Sequence, residues 1–254
     1  MTTITNDFGT IQSAPSGVQR IWNVARLQFS NKWQTLGVPW LAMGIIFLFN
    51  LVIWWFIATA GQPDEDTGSS YNGASFYLFV YMLVIAIQAM SRTFPFALGF
   101  SVTRRDYYLG TSLAFAIYSI GYGAALTFLS YVEEWTQGWG VGLTLFGTAL
   151  LTTNSFWLRL FIYVAVLLVF FLIGMVCGTV YVRWRANGLV ALGVAVALLT
   201  IGSVALATLT ESWDLVGEWF LSSGVVGVTS WFLLFSTVFA IIGFFILRRA
   251  TPQN

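Results

Sequence analysis

The chain of 254 residues has no histidine, one cysteine, five prolines and charge on only 8% of its positions, against 58% hydrophobic. Each shortage excludes something. Without histidine there is none of the side chain that most often serves as zinc ligand, general base or proton relay near neutral pH. The single cysteine, Cys177, lies in an apolar run and cannot form an intrachain disulfide. Soluble domains carry about 25% charged residues. A chain with far fewer cannot cover an ordinary water-facing surface, so the composition is that of a polytopic membrane protein. No G-x-x-x-x-G-K-[ST] phosphate loop occurs, nor any stretch able to fold as a nucleotide-binding domain. No nucleophile–base pair with the spacing of a membrane enzyme stands out. The chain is therefore not expected to be an enzyme by itself, to hold a metal or cofactor, or to bind nucleic acid.

What the chain has in abundance is apolar runs. A hydrocarbon core of ~30 Å needs about 20 helical residues. Runs at about 38–60, 75–99, 108–131, 156–182, 188–210 and 227–247 reach that length, predicting an all-α integral membrane fold with six transmembrane helices. Residues 1–17 are polar, lack Lys and Arg and have no apolar core, which predicts a disordered cytoplasmic tail rather than a signal peptide. Across 18–34, Val18, Ile21, Trp22, Ala25, Phe29 and Trp33 recur at helical spacing, with Arg20, Asn23, Arg26, Ser30 and Lys32 largely between them. That is a basic amphipathic helix with tryptophan on its apolar side, suited to the headgroup region and able also to touch a cytoplasmic partner. Residues 35–254 read as a single transmembrane domain.

Two connections are less simple. Residues 141–154 are apolar but too short to span, predicting an interfacial or partly re-entrant segment. Residues 211–226 set Glu211, Asp214 and Glu218 beside Trp213, Trp219 and Phe220, predicting an amphipathic surface or dipping element.

Six spans sort the charges into two sets. One holds both tails, the 100–107 segment and the 183–187 turn, with ten of the eleven basic residues against Asp7 and Asp106. The other holds Arg159 and the remaining eight acids; the sums are +8 and −7. The Lys/Arg bias places both termini in the cytoplasm.

An ionisable residue deep in a span would mark ion or proton coupling, and none lies deep. Arg92 sits about two turns from the cytoplasmic end and can snorkel. Arg159 sits near the outer end, where Glu133 or Glu134 can neutralise it. Among uncharged polar groups in the spans, Asn50 and Gln88 are the candidates for a polar spot on a substrate route, although most such groups simply bond within or between helices. Gly174 and Gly178 form a G-x-x-x-G that permits close packing, within one protomer or at a dimer seam.

The most informative stretch is the charged island Gly99-Phe100-Ser101-Val102-Thr103-Arg104-Arg105-Asp106-Tyr107-Tyr108-Leu109-Gly110. The two glycines bracket a short turn plus helix. Thr103 is placed to cap that helix, with Asp106 in capping-box position. Arg104 and Arg105 face headgroups or an acidic partner, and Tyr107 and Tyr108 anchor the return to the membrane. An ordinary positive-inside loop has the same composition.

This island, following an amphipathic helix and two spans, resembles the coupling region of ABC-2 type transporter permease subunits, many of which carry G-x-(S/T)-R-R-x-(F/Y) between spans two and three. In layout the resemblance covers the whole chain; residue by residue it rests on this stretch. It implies a permease dimer, homologous or identical in its two copies, with each copy docked to a cytoplasmic ABC ATPase that binds ATP and Mg, and export of a hydrophobic or amphipathic substrate such as an antibiotic, peptide or lipid-like molecule. It further implies that 18–34 is the connecting helix (Arg20, Trp22, Arg26, Lys32), that 100–107 is the coupling helix (Ser101, Thr103, Arg104, Arg105, Asp106, Tyr107), and that 211–226 is an outer re-entrant element. The chain is most similar to small stand-alone permeases, having no fused ATPase and no sizeable outer domain, and that resemblance implies a bacterial plasma membrane. An ATPase-independent secondary transporter or channel, and a non-transporting scaffold or sensor partner of an ATPase, are the alternatives.

Overall fold

A computed structural model describes residues 16–60, 76–147, 153 and 155–248. The expectations for the first fifteen residues, the acidic loop at 61–74, most of 148–154 and Arg249 lie outside the described residues. The described residues contain no strand. They form α1 (Gly17–Gln28), α2 (Val38–Thr59), α3 (Phe76–Gln88), α4 (Phe94–Gly99), α5 (Arg104–Trp135), α6 (Phe156–Leu209) and α7 (Trp213–Arg248). Five helical stretches are long and apolar enough to cross a membrane: Trp33–Thr59, Phe76–Gly99, Arg104–Trp135, Phe156–Leu209 and Trp213–Arg248. Their outward faces are apolar: Val190, Val194, Leu198, Leu199 and Ile201 on α6, and Phe232, Phe235, Phe239 and Ile242 on α7, are all exposed. Such faces suit lipid, not water, and the molecule is a multi-span membrane protein.

Where six spans were expected, five helices are assigned, because two expected spans fall within α6. A straight helix of 54 residues would be about 81 Å long, far more than one crossing. The helix is interrupted at Arg185, with φ 55° and ψ −146°. A Cβ on Gly188 would lie 3.3 Å from the Val180 carbonyl oxygen and 2.5 Å from the Trp184 Cβ. Residues eight apart on a straight helix are ~12 Å apart, so the chain folds sharply back at Arg185. α7 repeats the device. Gly224 has φ 60° and ψ −179°, and a Cβ on Gly227, again three residues on, would meet the Ser223 Cβ at 2.9 Å. This backbone region is close to glycine-only. Gly224 satisfies it, whereas Arg185 is held in it.

The core is the junction of α3, α5 and α6. Phe115 and Phe171 stack with ring centroids 4.4 Å apart, and Phe79, Met82, Leu167 and Met175 are buried around them. Both glycines of the G-x-x-x-G face α3 and the turn after it. A Cβ on Gly174 would lie 2.5 Å from the Leu83 carbonyl oxygen, and one on Gly178 2.5 Å from the Met90 Cβ. Of the two uses foreseen for this motif, the structure shows packing within one protomer.

Two π-turns, Trp33–Gly37 and Ala89–Thr93, enter α2 and α4. Each ends two residues before a proline, Pro39 or Pro95. Proline has no N–H and its ring collides with the carbonyl four residues back, so the preceding turn widens to i→i+5 bonding: Val38 N–H donates to the Trp33 carbonyl and Phe94 N–H to that of Ala89.

Candidate functional site

The basic end of the bundle is assembled from α1, the 100–103 turn, the start of α5 and the end of α7. α1 begins where Ser16 Oγ accepts the Gln19 N–H at 3.3 Å. It buries Val24 and Ala25 against α5. The close approach depends on Gly110, where a Cβ would lie 2.6 Å from both the Ile21 carbonyl oxygen and the Val24 Cβ. The expected amphipathic helix thus exists but is shorter, ending at Gln28, and it turns a different face inward. Its apolar set was expected to lie in headgroups, yet Val24 and Ala25 pack on protein while Trp22 and Trp33 stay exposed.

α5 starts as expected. Thr103 is the N-cap, its Oγ1 accepting the Asp106 N–H at 3.1 Å. The Asp106 carboxylate crosses instead to α1, where Arg20 Nε meets its Oδ2 at 3.0 Å, the acid side chain 8% and the base 52% exposed. The helix N-terminus favours that carboxylate as well. Between α1 and the 100–103 turn lies a largely apolar cleft of about 530 Å³, lined by Arg20, Asp106, Phe96 and Phe100 among others.

The arginines of the island divide. Arg104 Nη1 donates to the Arg248 carbonyl at 3.1 Å, and Arg183 Nη1 donates to that of Ile246 at 3.3 Å. Both supply donors and positive charge to the final carbonyls of α7, which have no helical partners. Arg105 is exposed and pairs with no acid among the described residues. Tyr107 and Tyr108, expected as membrane-surface anchors, are buried instead. Their hydroxyls donate to the Ala89 carbonyl at 2.7 Å and the Ala240 carbonyl at 2.6 Å. The π-turn presents that Ala89 oxygen. Tyr107 is therefore packing beneath this end, outside its surface. Ser101 (φ 60°) and Thr103 are exposed, as are Arg26 and Lys32. No separate coupling helix is bounded by Gly110. Arg104–Tyr107 is the first turn of a 32-residue helix, because Gly110 serves helix packing and does not break the helix.

The segment joining α1 to α2 is held by tyrosines. Tyr81 donates to the Gln34 carbonyl at 2.8 Å, Tyr118 to Thr35 Oγ1 at 3.1 Å, and Tyr122 to the Thr35 carbonyl. Gln28 Nε2 reaches Tyr107 Oη and Thr111 Oγ1, both at 3.2 Å. Gln88 belongs to this region, accepting from Gln34 Nε2 at 2.9 Å. Asn50 does not, since its Nδ2 donates to Ile46 of its own turn at 2.8 Å. The two polar candidates of the spans are thus not brought together.

The opposite end holds a network that sequence reasoning only half foresaw. Arg159, 2% exposed, donates to Glu134 Oε1 at 2.7 Å, to the Thr153 carbonyl at 2.8 and 3.1 Å and to Ser130 Oγ at 3.2 Å, and lies 4.1 Å from the Tyr131 ring centroid. Of the two acids proposed to neutralise it, Glu134 forms the ion pair. Glu133 is buried and accepts the backbone N–H groups of Leu145, Phe146 and Gly147 at 2.9, 2.9 and 2.7 Å. Leu143, Leu145 and Phe146 are consequently buried. The described part of the expected interfacial segment is tucked into the protein because Glu133 satisfies its backbone. No cluster of three or more potential metal ligands occurs among the described residues.

No family model, curated protein or solved structure matches the chain. Geometry and chemistry carry the functional reading: a multi-span membrane protein with two clefts at its basic end and a buried network around Arg159 and Glu133 at the other.

Proposed function

We propose that this chain is the membrane-spanning permease subunit of an ATP-driven ABC exporter, similar in layout to ABC-2 type permeases, with a separate ATPase docked at the basic end. The observation that carries the reading is the cleft between α1 and the 100–103 turn, bridged by Arg20 and Asp106. The two stretches that the resemblance assigns to coupling, far apart in the chain, are joined there. The reversal at Arg185 supports six crossings, and six crossings put this end in the cytoplasm by the Lys/Arg bias.

In the mechanism, the ATPase closes on ATP and presses on the exposed Arg105, Ser101 and Thr103. Arg105, which pairs with no acid among the described residues, offers its charge to an acidic groove. Because Thr103 caps α5, the push enters a continuous 32-residue helix and is delivered along it to the far end of the bundle. The ATPase's differential affinity for the two arrangements drives the change, and a second permease copy completes the path for a hydrophobic or amphipathic substrate.

Arg105→Glu is the test, made with the ATPase encoded nearest the gene. The wild type is expected to co-purify with it and to export only when ATP is supplied, and the variant is expected to fold yet lose the ATPase. A variant that still binds and exports removes the coupling role. Transport in liposomes without any ATPase supports a secondary transporter or channel. ATPase binding with no substrate stimulation of hydrolysis supports a scaffold.

A further inference from the structure

The second cleft of the basic end lies between the two π-turns and has a volume of about 420 Å³. Its polar wall is a row of amides whose direction is fixed by the backbone. The Gln34 N–H can only donate, and it donates to Asn31 Oδ1 at 3.2 Å. Asn31 Nδ2 must then be a donor, to Gln34 Oε1 at 2.8 Å. Gln34 Nε2 in turn donates to Gln88 Oε1 at 2.9 Å. Every amide oxygen in the row is occupied, and the row ends in the Gln88 Nε2 group, whose two hydrogens meet no acceptor among the described residues. The exposed Arg92 guanidinium lines the same cleft and likewise has no acceptor there. No Asp or Glu lines the cleft, and Leu27, Ile85 and Phe96 give it an apolar border.

One cation, a free amide donor, no carboxylate and an apolar border fit an anion carried on a hydrocarbon chain, although the lining also holds the amide oxygen of Gln28, whose Nε2 is spent on Tyr107 and Thr111. We propose that this cleft binds the phosphodiester headgroup of an anionic membrane lipid, with Arg92 and Gln88 Nε2 donating to the phosphate oxygens and the acyl chains lying along Phe96 and Ile85. Charge-assisted bonds to phosphate are the stronger kind, and basic pockets between helices at the headgroup level are suited to such lipids. The site needs only a membrane chain and does not depend on ATPase docking. Its occupant would bridge the segment entering α2 and the one entering α4.

The test uses the full chain in nanodiscs of equimolar phosphatidylglycerol and phosphatidylcholine, with retained lipid counted by mass spectrometry after detergent extraction. Wild type should retain phosphatidylglycerol about fivefold over phosphatidylcholine, the effect of about one arginine at a headgroup. Arg92→Gln should abolish that preference. Gln88→Glu keeps the acceptor for Gln34 while replacing the free donor by a negative charge, so it should also abolish the preference and leave the unfolding temperature in pure phosphatidylcholine unchanged. Arg26→Gln, which removes an exposed charge outside the cleft, should have no effect. Retention equal to wild type in both cleft variants, or an equal loss in Arg26→Gln, overturns the site. Displacement of the lipid by millimolar inorganic phosphate would assign the cleft to free anions and overturn the lipid claim.

Discussion

Both ends of the bundle carry an arginine–carboxylate pair, and the two pairs are built in opposite ways. At one end the acid, Asp106, is buried and its partner Arg20 is half in solvent, 3.0 Å away. At the other the base, Arg159, is buried and its partner Glu134 is 47% exposed, 2.7 Å away. Arg159 also holds Ser130 and the Thr153 carbonyl and stacks on Tyr131, so its burial is compensated from several sides. Asp106 has Arg20 and the helix N-terminus. Beside Arg159, Glu133 stitches three backbone N–H groups into the core, whereas α1 is held by Val24 and Ala25, the glycine contact, the half-exposed Arg20 pair and the part-buried Gln28 amide. The Arg159 end is a lock; the Asp106 end is a joint. A machine driven from the basic end needs that asymmetry.

The comparison breaks first at Arg159. Replacing it by Leu should lower stability by about 3 kcal/mol, because the Thr153 carbonyl and the buried Ser130 hydroxyl lose their donor, read as a large drop in the detergent unfolding temperature. Glu133→Ala should cost about 2–3 kcal/mol by orphaning buried N–H groups and should expose 138–147 to protease. Gly110→Leu should release α1 from α5, visible as rapid hydrogen exchange over 17–28 with the core exchanging as before. Arg20→Gln should cost less than these, because the Gln amide can still donate to the buried Asp106 carboxylate and the α5 N-terminus favours that charge. A loss at Arg20 as large as at Arg159 would remove the distinction between lock and joint.

Much of this was legible in the sequence. The first two spans fall within a residue or two of the helices, because long apolar runs bounded by polar loops leave little freedom. Thr103 was readable as a cap because its side chain acts locally. The less legible features come from tertiary contacts. Asp106 paired with Arg20 carries a signal in retrospect, as a lone acid in a basic island needs a partner, but nothing local says which. Tyr107 and Tyr108 looked like surface anchors, and only the π-turn carbonyl and the packing of α7 show why they are buried. The π-turns went unread, although Pro39 and Pro95, two residues beyond each, are a local signal for them. The reversal at Arg185 falls within the turn expected at 183–187, which the end of one apolar run, Arg183 and Arg185 had marked without a glycine at the break.

The most direct measurement is the separation of spin labels placed across the basic cleft, at Trp22→Cys and Phe96→Cys in a Cys177→Ser background, in nanodiscs with the docked ATPase. A second label pair at Trp135 and Trp157 reports the other end. The account predicts that a non-hydrolysable ATP analogue shifts the first distance and leaves the second narrow and unchanged. An unmoved cleft, or equal shifts at both ends, would contradict it.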